Sequence, residues 1–449
     1  MNDKIFREYD IRGVADRDLT DEVAYKVSRA IATVVIKRGG KKMTLGYDCR
    51  LSSPRLREQF LKGFVECGID VHDIGQVPTP LLYFSVIHRN MDGGVMITGS
   101  HNPGDQNGFK ICIGKTTIHG DEIQNLKKIA LSGEFATGKG SVSSSPVLED
   151  YIEEVSRSIQ KPLNVRVVVD SGNGMGGIVA PRLYRKLGCE VIELYSTPDG
   201  KFPNHHPDPS EPHNLEEITA RVKKEGALLG IAFDGDADRI GVIDASGTSL
   251  FGDELLALYA RDILSEHKGA KIISEVKASH RLYEDIKKHG GVPIMWKTGH
   301  SLIKAKMKEE KALLAGEMSG HMFFNDRYYG FDDAVYAGAR ILEICHKNKL
   351  SPSALLKGMP PSYSTAELRV DCSDEIKFEV VRKTTEALKS QGLNVVTLDG
   401  ARVEYEDGWG LVRASNTQPV LVYRFEATSE KRLSEIRNQI ESVVKSFLK

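Results

Sequence analysis

Residues 234–239 read Asp234-Gly235-Asp236-Ala237-Asp238-Arg239, with an apolar run at 227–233 before them and another at 240–243 after them. A short polar segment between two apolar runs reads as a loop leaving a buried strand. Its three carboxylates, at every second position and without His or Cys, suit a hard cation such as magnesium or calcium better than zinc. A calcium-binding EF-hand begins with the same alternation but needs Gly at its sixth position and Glu at its twelfth. Here those positions hold Arg239 and Ala245, which excludes it. The plainer alternative is a solvated acidic turn, and both the apolar strand before it and the Arg at its end weigh against that.

The strand-then-loop arrangement recurs on either side of this stretch. A strand–helix–strand pattern is predicted three times: strand 43–47, helix 55–67, strand 69–74; strand 165–169, helix 181–187, strand 190–194; strand 271–276, helix 280–288, strand 292–296. Each helix runs into a glycine (Gly68, Gly188, Gly290) before the returning strand, as helix C-termini often do. Short apolar strands alternating with helices imply parallel sheets covered on both faces. The next strand of each unit then ends in a polar loop: 94–98 into Gly99-Ser100-His101-Asn102-Pro103, 227–233 into the Asp triplet, and 313–315 into Gly316-Glu317-Met318-Ser319-Gly320-His321. Ligands of open α/β sheets gather beyond the carboxyl ends of strands, so three such loops imply one shared cleft. From about residue 361 the rhythm changes. A strand at 420–427 and a closing amphipathic helix at 429–448 suggest a separate α+β domain with one polar loop, Arg413-Ala414-Ser415-Asn416-Thr417-Gln418-Pro419. The Ser-rich stretch 141–145 before Pro146 reads as a boundary.

Bulk composition narrows the function. The 449 residues exceed one core, and length alone suggests about three domains. Lys plus Arg number 61 against 62 Asp plus Glu, so the chain lacks the basic footprint that nucleic acid or an anionic membrane requires. No apolar run approaches the roughly 20 residues that span a bilayer, and the N-terminus has no apolar core of the secretory kind. Six cysteines without CxxC spacing read as free thiols in a reducing cytoplasm.

Ser100 lacks the G-x-S-x-G frame of a hydrolase elbow, because Asn102 stands two residues on. A lone serine in a turn is ordinarily structural. Beside a metal site it gains a second reading, that of a phosphoryl carrier, since positioning and charge stabilisation are most of what phosphoryl transfer needs. Lys110 is placed to exchange a proton with a substrate hydroxyl, or else is a solvated strand-end lysine. The loop 413–417 groups a guanidinium, two hydroxyls and an amide, a set suited to phosphate. Glu317, Ser319 and His321 suit a polyhydroxyl substrate, and Met318 between them suits packing. Gly172-Asn173-Gly174-Met175-Gly176-Gly177 matches the dinucleotide fingerprint, with Glu193 about 20 residues on. Asp170 would then stand beside the pyrophosphate, so these glycines read instead as a tight strand-to-helix turn.

Together these loops resemble those of the α-D-phosphohexomutases, specifically the bacterial phosphomannomutase/phosphoglucomutase branch. The likeness runs from Phe6-Arg7-Glu8-Tyr9-Asp10-Ile11-Arg12-Gly13 to the Arg413 loop, nearly the whole chain, in four ordered motifs. It implies four domains around a central cleft: α/β units with mixed or parallel sheets of similar topology at 1–146, 147–248 and 249–360, and an α+β domain at 361–449. It implies that Ser100 is a phosphoserine and that Asp234, Asp236 and Asp238 hold magnesium, with the seryl group completing the shell. Glu317 and Ser319 would hold sugar hydroxyls, while Arg413, Ser415, Asn416 and Thr417 would grip the phosphate that is not reacting. Tyr9, Arg12, Lys110, Arg239, Lys277, His300 and His321 match positions lining the family's cleft. Lys110 and His300 are then the proton-transfer candidates, and Arg239 and His101 join Ser100 in the catalytic group. Gly104 after Pro103 and Gln418 before Pro419 depart from the usual pattern.

The implied reaction interconverts hexose 1- and 6-phosphates of mannose and glucose through a 1,6-bisphosphate that turns over in the cleft. Magnesium would be the cofactor, and glucose or mannose 1,6-bisphosphate the activator. A carboxylate that reads hydroxyls away from C2 would not separate the two sugars. The expected partners are small-molecule hexose phosphates, with no nucleic acid and no membrane, for a cytoplasmic monomer or weak homodimer. A phosphatase using the same serine, a non-catalytic sugar-phosphate sensor and an amino-sugar mutase are the alternatives.

Overall fold

The computed structural model describes residues 1–416 and 418–448. Among them lie four β-sheets. Three share one arrangement. In the first unit Lys42–Tyr47 pairs in parallel with Asp70–Gln76 on one side and Gly93–Ile97 on the other, and Gln106–Ile113 returns antiparallel beside Gly93–Ile97. Arg166–Asp170, Glu190–Leu194, Leu229–Phe233 and Ile240–Asp244 repeat this pattern in the second unit. Lys271–Glu275, Val292–Trp296, Leu314–Gly316 and Met322–Phe324 repeat it in the third. Each sheet is therefore a parallel core with an antiparallel fourth strand, rather than wholly parallel. The reason is local: a connection as short as residues 234–239 can join neighbouring strands only as a hairpin, whereas a parallel return needs a crossover. All three polar loops occupy this same hairpin.

The strand and helix limits follow the sequence pattern closely. The first-unit helix is Ser53–Cys67, capped by Gly68 at φ 94°, and the third-unit helix is His280–Lys288. The loop-bearing strands Gly93–Ile97 and Leu229–Phe233 are buried at every position, as continuous apolar runs require.

The cores are unequally shared. The first unit has its own, around Phe60, Phe64 and Phe109. The second and third units share one, to which the first contributes the helix Thr79–His88 through Leu81, Leu82 and Phe84. Tyr184 and Tyr259 lock it by donating to the carbonyls of Val335 and Ala337 on the helix Ala334–Asn348. The fourth unit is an antiparallel sheet backed by the helices Lys377–Ser390 and Glu430–Lys445, with a separate core around Leu421, Phe425 and Ile440. It meets the third unit through the small cluster Val276, Trp409 and Leu411 and through Arg402, which donates to the carbonyls of Val276 and Ala278. Among the described residues no helix is long and apolar enough to cross a membrane.

Candidate active site

Ser100 sits at φ 50° in its hairpin, a left-handed conformation that costs a non-glycine residue free energy unless its surroundings impose it. Arg50 imposes it. Its side chain is fully buried, and its Nη atoms donate to four carbonyls of the loop: Ser100 at 2.8 Å, Asn102 at 2.6 Å, Pro103 at 2.5 Å and Gln106 at 3.0 Å. Asp48 accepts from Gly99 N at 3.1 Å and lies 3.3 Å from Arg50 Nε. Gly99 is needed for this approach, since a Cβ there would stand 2.4 Å from Arg50 Nε.

Across the seam between the first two units, Ser100 Oγ donates to Asp234 Oδ2 at 2.6 Å, with His101 Nδ1 3.2 Å away. Asp234 Oδ1 accepts from the backbone of Asp238 and Arg239, both at 3.1 Å, which curls the triplet around one point. Asp234, Asp236 and Asp238 are fully buried, with ligand oxygens within 4.8 Å of one another. Thr79, at the start of its helix, donates to Asp236 through backbone and hydroxyl. Lys110 Nζ lies 2.8 Å from Asp236 and also bonds Asp238. Even so, Asp236 Oδ1 is buried without a hydrogen-bond donor, and Asp238 Oδ1 has only His321 Nε2 beside it, at 3.3 Å. Buried acceptors in surplus fit a bound cation. The turn 172–177 packs beneath: Met175 N donates to Gly235 O at 2.9 Å, and a Cβ on Gly174 would meet that oxygen at 2.8 Å. Its glycines serve backbone contact with the carboxylate loop.

The third loop closes on the second. A backbone bridge joins Arg239 to His321. His321 Nε2 lies 3.3 Å from Asp238, while its Nδ1 lies 3.1 Å from Glu317 and 2.9 Å from Ser319 Oγ. Burial opposes its charge, but Asp238 and Glu317 outweigh that and push its pKa up to about 9. His300 lies face to face with it, ring centroids 5.6 Å apart, yet differs in charge. Burial, helped by Lys304 and Lys110, drives His300 well below the ordinary histidine value, so its ring is neutral. His300 Nδ1 and Asp332 Oδ2 face each other at 3.5 Å without a hydrogen bond, and Lys304 holds the other oxygen of Asp332 at 2.7 Å. Burial disfavours the charge on Lys110, but Asp236 and Asp238 more than offset this and keep it protonated.

The fourth unit faces the opening. Arg413 donates to Asp399 at 3.0 Å, and the same carboxylate oxygen takes Thr298 N at 3.0 Å. Asn416 Nδ2 donates to Tyr9 Oη at 2.7 Å, and Tyr9 in turn donates to Thr298 O at 2.8 Å, so three units meet at one phenol. Lys277 pairs with Glu367 at 2.9 Å, Arg12 with Asp10, and Ser415 Oγ accepts from Gln418 N at 3.2 Å. Thr417 lies outside the described residues.

Several supports escaped the sequence reading: Arg50, Asp48, Asp332, Lys377 and Glu275. Lys377 Nζ donates to the carbonyls of Ser415 and Gln418 and so shapes the Arg413 loop. Glu275 is fully buried and accepts from Lys277 N at 2.7 Å, Thr298 Oγ1 at 3.0 Å and Met318 N at 3.2 Å, joining three site segments. Asp48 and Arg50 lie just past the carboxyl end of Lys42–Tyr47, the position that marked the other loops, and could have been found by the same rule.

Comparison with known proteins covers the chain end to end. Profiles for phosphoglucomutase/phosphomannomutase alpha/beta/alpha domains I, II and III match residues 3–137, 149–247 and 251–363, and the C-terminal domain matches 368–443. The phosphomannomutase/phosphoglucomutase of Pseudomonas aeruginosa is 48% identical over 447 residues, 99% of this chain and 96% of that protein. A phosphoglucomutase of Neisseria meningitidis serogroup A is 45% identical, over 98% of this chain and 97% of its own. A crystal structure of a phosphoglucomutase/phosphomannomutase family protein from Burkholderia thailandensis, 44% identical, superposes with a TM-score of 0.94 over 99% of this chain and 98% of that one.

Proposed function

The chain belongs to the phosphoglucomutase/phosphomannomutase family, and from that premise we propose the mechanism by which it interconverts hexose 1- and 6-phosphates of mannose and glucose. Ser100 is the phosphoryl carrier. The observation that carries this is its hydroxyl, 2.6 Å from Asp234, in a loop that Arg50 holds at four carbonyls beside the buried acidic triplet.

In the first half-reaction the oxygen–phosphorus bond of phosphoserine 100 breaks as the free hydroxyl of the sugar phosphate bonds to that phosphorus. The hydroxyl's proton passes to His300, whose neutral ring has an unengaged Nδ1. Lys110, held as a cation, screens the moving charge, with Arg239 and His101 beside it. The 1,6-bisphosphate then turns end for end, and its other phosphoryl group returns to Ser100 as the proton returns to the sugar oxygen. Asp234, Asp236 and Asp238 would hold magnesium with the seryl group, and the ion would supply charge neutralisation at the bridging oxygen. Glu317, Ser319 and His321 hold sugar hydroxyls. Arg413, Ser415, Asn416 and Thr417, with Tyr9, Arg12 and Lys277, hold the phosphate that is not reacting. The enzyme acts in the cytoplasm on small hexose phosphates, primed by glucose or mannose 1,6-bisphosphate.

Phosphorus NMR tests this. Protein, magnesium, a trace of glucose 1,6-bisphosphate and mannose or glucose 1-phosphate should give a growing 6-phosphate resonance, which chelation of the metal abolishes. Inorganic phosphate instead would make it a phosphatase, and no change would make it a sensor or an amino-sugar enzyme.

A further inference from the structure

Arg50 takes the carbonyls of Ser100, Asn102, Pro103 and Gln106 but leaves that of His101. His206, from the second unit, takes it: its Nε2 donates to His101 O across the seam. The His101 ring is also the one that faces Ser100 Oγ, at 3.2 Å. His206 lies in residues 195–211, which contain neither helix nor strand, and loops so long without structure of their own usually carry function. Phe202, in the same stretch, sits at φ 48°, a left-handed conformation that a bulky residue adopts only where its surroundings impose it. Its ring lies 5.3 Å from the Arg50 guanidinium, a cation–π contact. This strap therefore touches the serine loop twice, at the carbonyl that Arg50 leaves and at Arg50 itself. Asn173 ties the strap down. Its backbone oxygen accepts from Asp199 N at 2.9 Å, its Nδ2 donates to Thr197 O at 2.9 Å, and its Oδ1 accepts from Asn204 Nδ2 at 2.7 Å. Two residues on, Met175 N holds Gly235 of the carboxylate loop. One turn, 172–177, thus anchors both the strap over the serine and the loop of the Asp triplet.

We propose that His206 is a positioning residue for phosphoryl transfer, which holds the serine loop in register with the Asp triplet, and that Asn173 anchors the strap that carries it. This rests on Ser100 being the phosphoryl carrier. Arg50 belongs to the first unit, so it fixes the shape of the loop but not its place relative to the second unit. The bond from Ser100 Oγ to Asp234 does cross the seam, but it needs the hydroxyl proton, which is gone whenever Oγ carries a phosphoryl group. The bond from His206 to His101 O does not depend on that proton and holds in both states of the serine. Precision of this kind matters, since a misplacement of about 1 Å can cost on the order of a hundredfold in rate.

The test compares His206→Ala with His206→Gln in the full-length protein, because a glutamine keeps an N–H at about the reach of Nε2. In His206→Ala kcat should fall about tenfold, the scale of one hydrogen bond, with KM changed by less than about twofold. Hydrogen exchange followed by mass spectrometry should be about tenfold faster over residues 98–107 by the same reckoning. His206→Gln should restore both. Asn173→Gly keeps the left-handed backbone and loses the two side-chain bonds to the strap. It should lower kcat as well, and the double variant should lose less than the product of the two single losses. An unchanged kcat, a fall in kcat without faster exchange at 98–107, a rise in KM matching that fall, or a glutamine that behaves like alanine would each overturn the role of His206. Losses that multiply in the double variant would overturn that of Asn173. Turnover retained in Ser100→Ala would sink the carrier reading instead, and the exchange comparison would still decide whether the strap holds the loop.

Discussion

Where Ser100 meets the triplet, four buried carboxylates (Asp234, Asp236, Asp238 and Asp332) face Lys110, His321 and Lys304, and acceptor oxygens remain without donors. At the far end Arg413, Lys277 and Lys377 each have a carboxylate of their own: Asp399, Glu367 and Asp374. At one end carboxylate oxygens are left without donors, and at the other each cation already has its own carboxylate. The ends also differ in anchorage. The triplet sits on units that share one core, to which the first unit adds a helix, whereas the Arg413 loop rides on a unit with a core of its own, docked through a three-residue apolar cluster and hydrogen bonds such as those of Arg402 and Arg424 to third-unit carbonyls. The mechanism proposed above, in which either phosphate is presented to Ser100, calls for this asymmetry: a fixed reacting end and a gripping end free to open. Closure of the gripping end would also keep water from the phosphoserine.

The sharpest way to break this contrast is Ser100→Ala. Mutase turnover should fall by roughly a thousandfold or more while calorimetry still shows sugar phosphate binding, because the gripping end is intact; retained turnover would remove the carrier role. Next in size is Arg50→Met, which strips four carbonyls and Asp48 of a buried cation. Denaturant unfolding should show a loss of about 3–5 kcal/mol, and a loss under 1 kcal/mol would mean the reacting end is not anchored there. At the gripping end Asn416→Ala removes one hydrogen bond to Tyr9 and should raise KM only a few-fold, on the order of 1 kcal/mol. X-ray scattering should show compaction when a bisphosphate is added, less of it in this variant; equal radii with and without ligand would contradict an opening fourth unit. The smallest effect is in pH. A base must be deprotonated to act, so activity falls as pH drops through its pKa. With His300 held below the ordinary 6.5, the acid limb of kcat should lie below that value, and a limb above it would point to another base.

What could be read from the sequence follows from distance along the chain. The Asp triplet spans five positions, and its ligands declare themselves without any fold. The three strand–helix–strand units were legible because period and glycine stops are local signals, and their edges fall within about two residues of those expected, as at Ser53–Cys67 and Lys271–Glu275. The antiparallel fourth strand was noted as an apolar run at 240–243 without its direction. Tyr9 and Asn416 are 407 positions apart, and only the resemblance to a family, not any pattern in the chain, put both at the cleft. Arg50 received no reading from the sequence, although it stands just past a strand. Its importance rests on four carbonyls that no sequence displays.

In the mechanism proposed above, that grip divides the labour of catalysis. A serine whose own carbonyl and three neighbouring ones are tethered to one buried side chain cannot commute between two acceptors. On that proposal the enzyme works like a lathe with a stationary tool: the cutting edge stays put, and the workpiece is turned round and offered again.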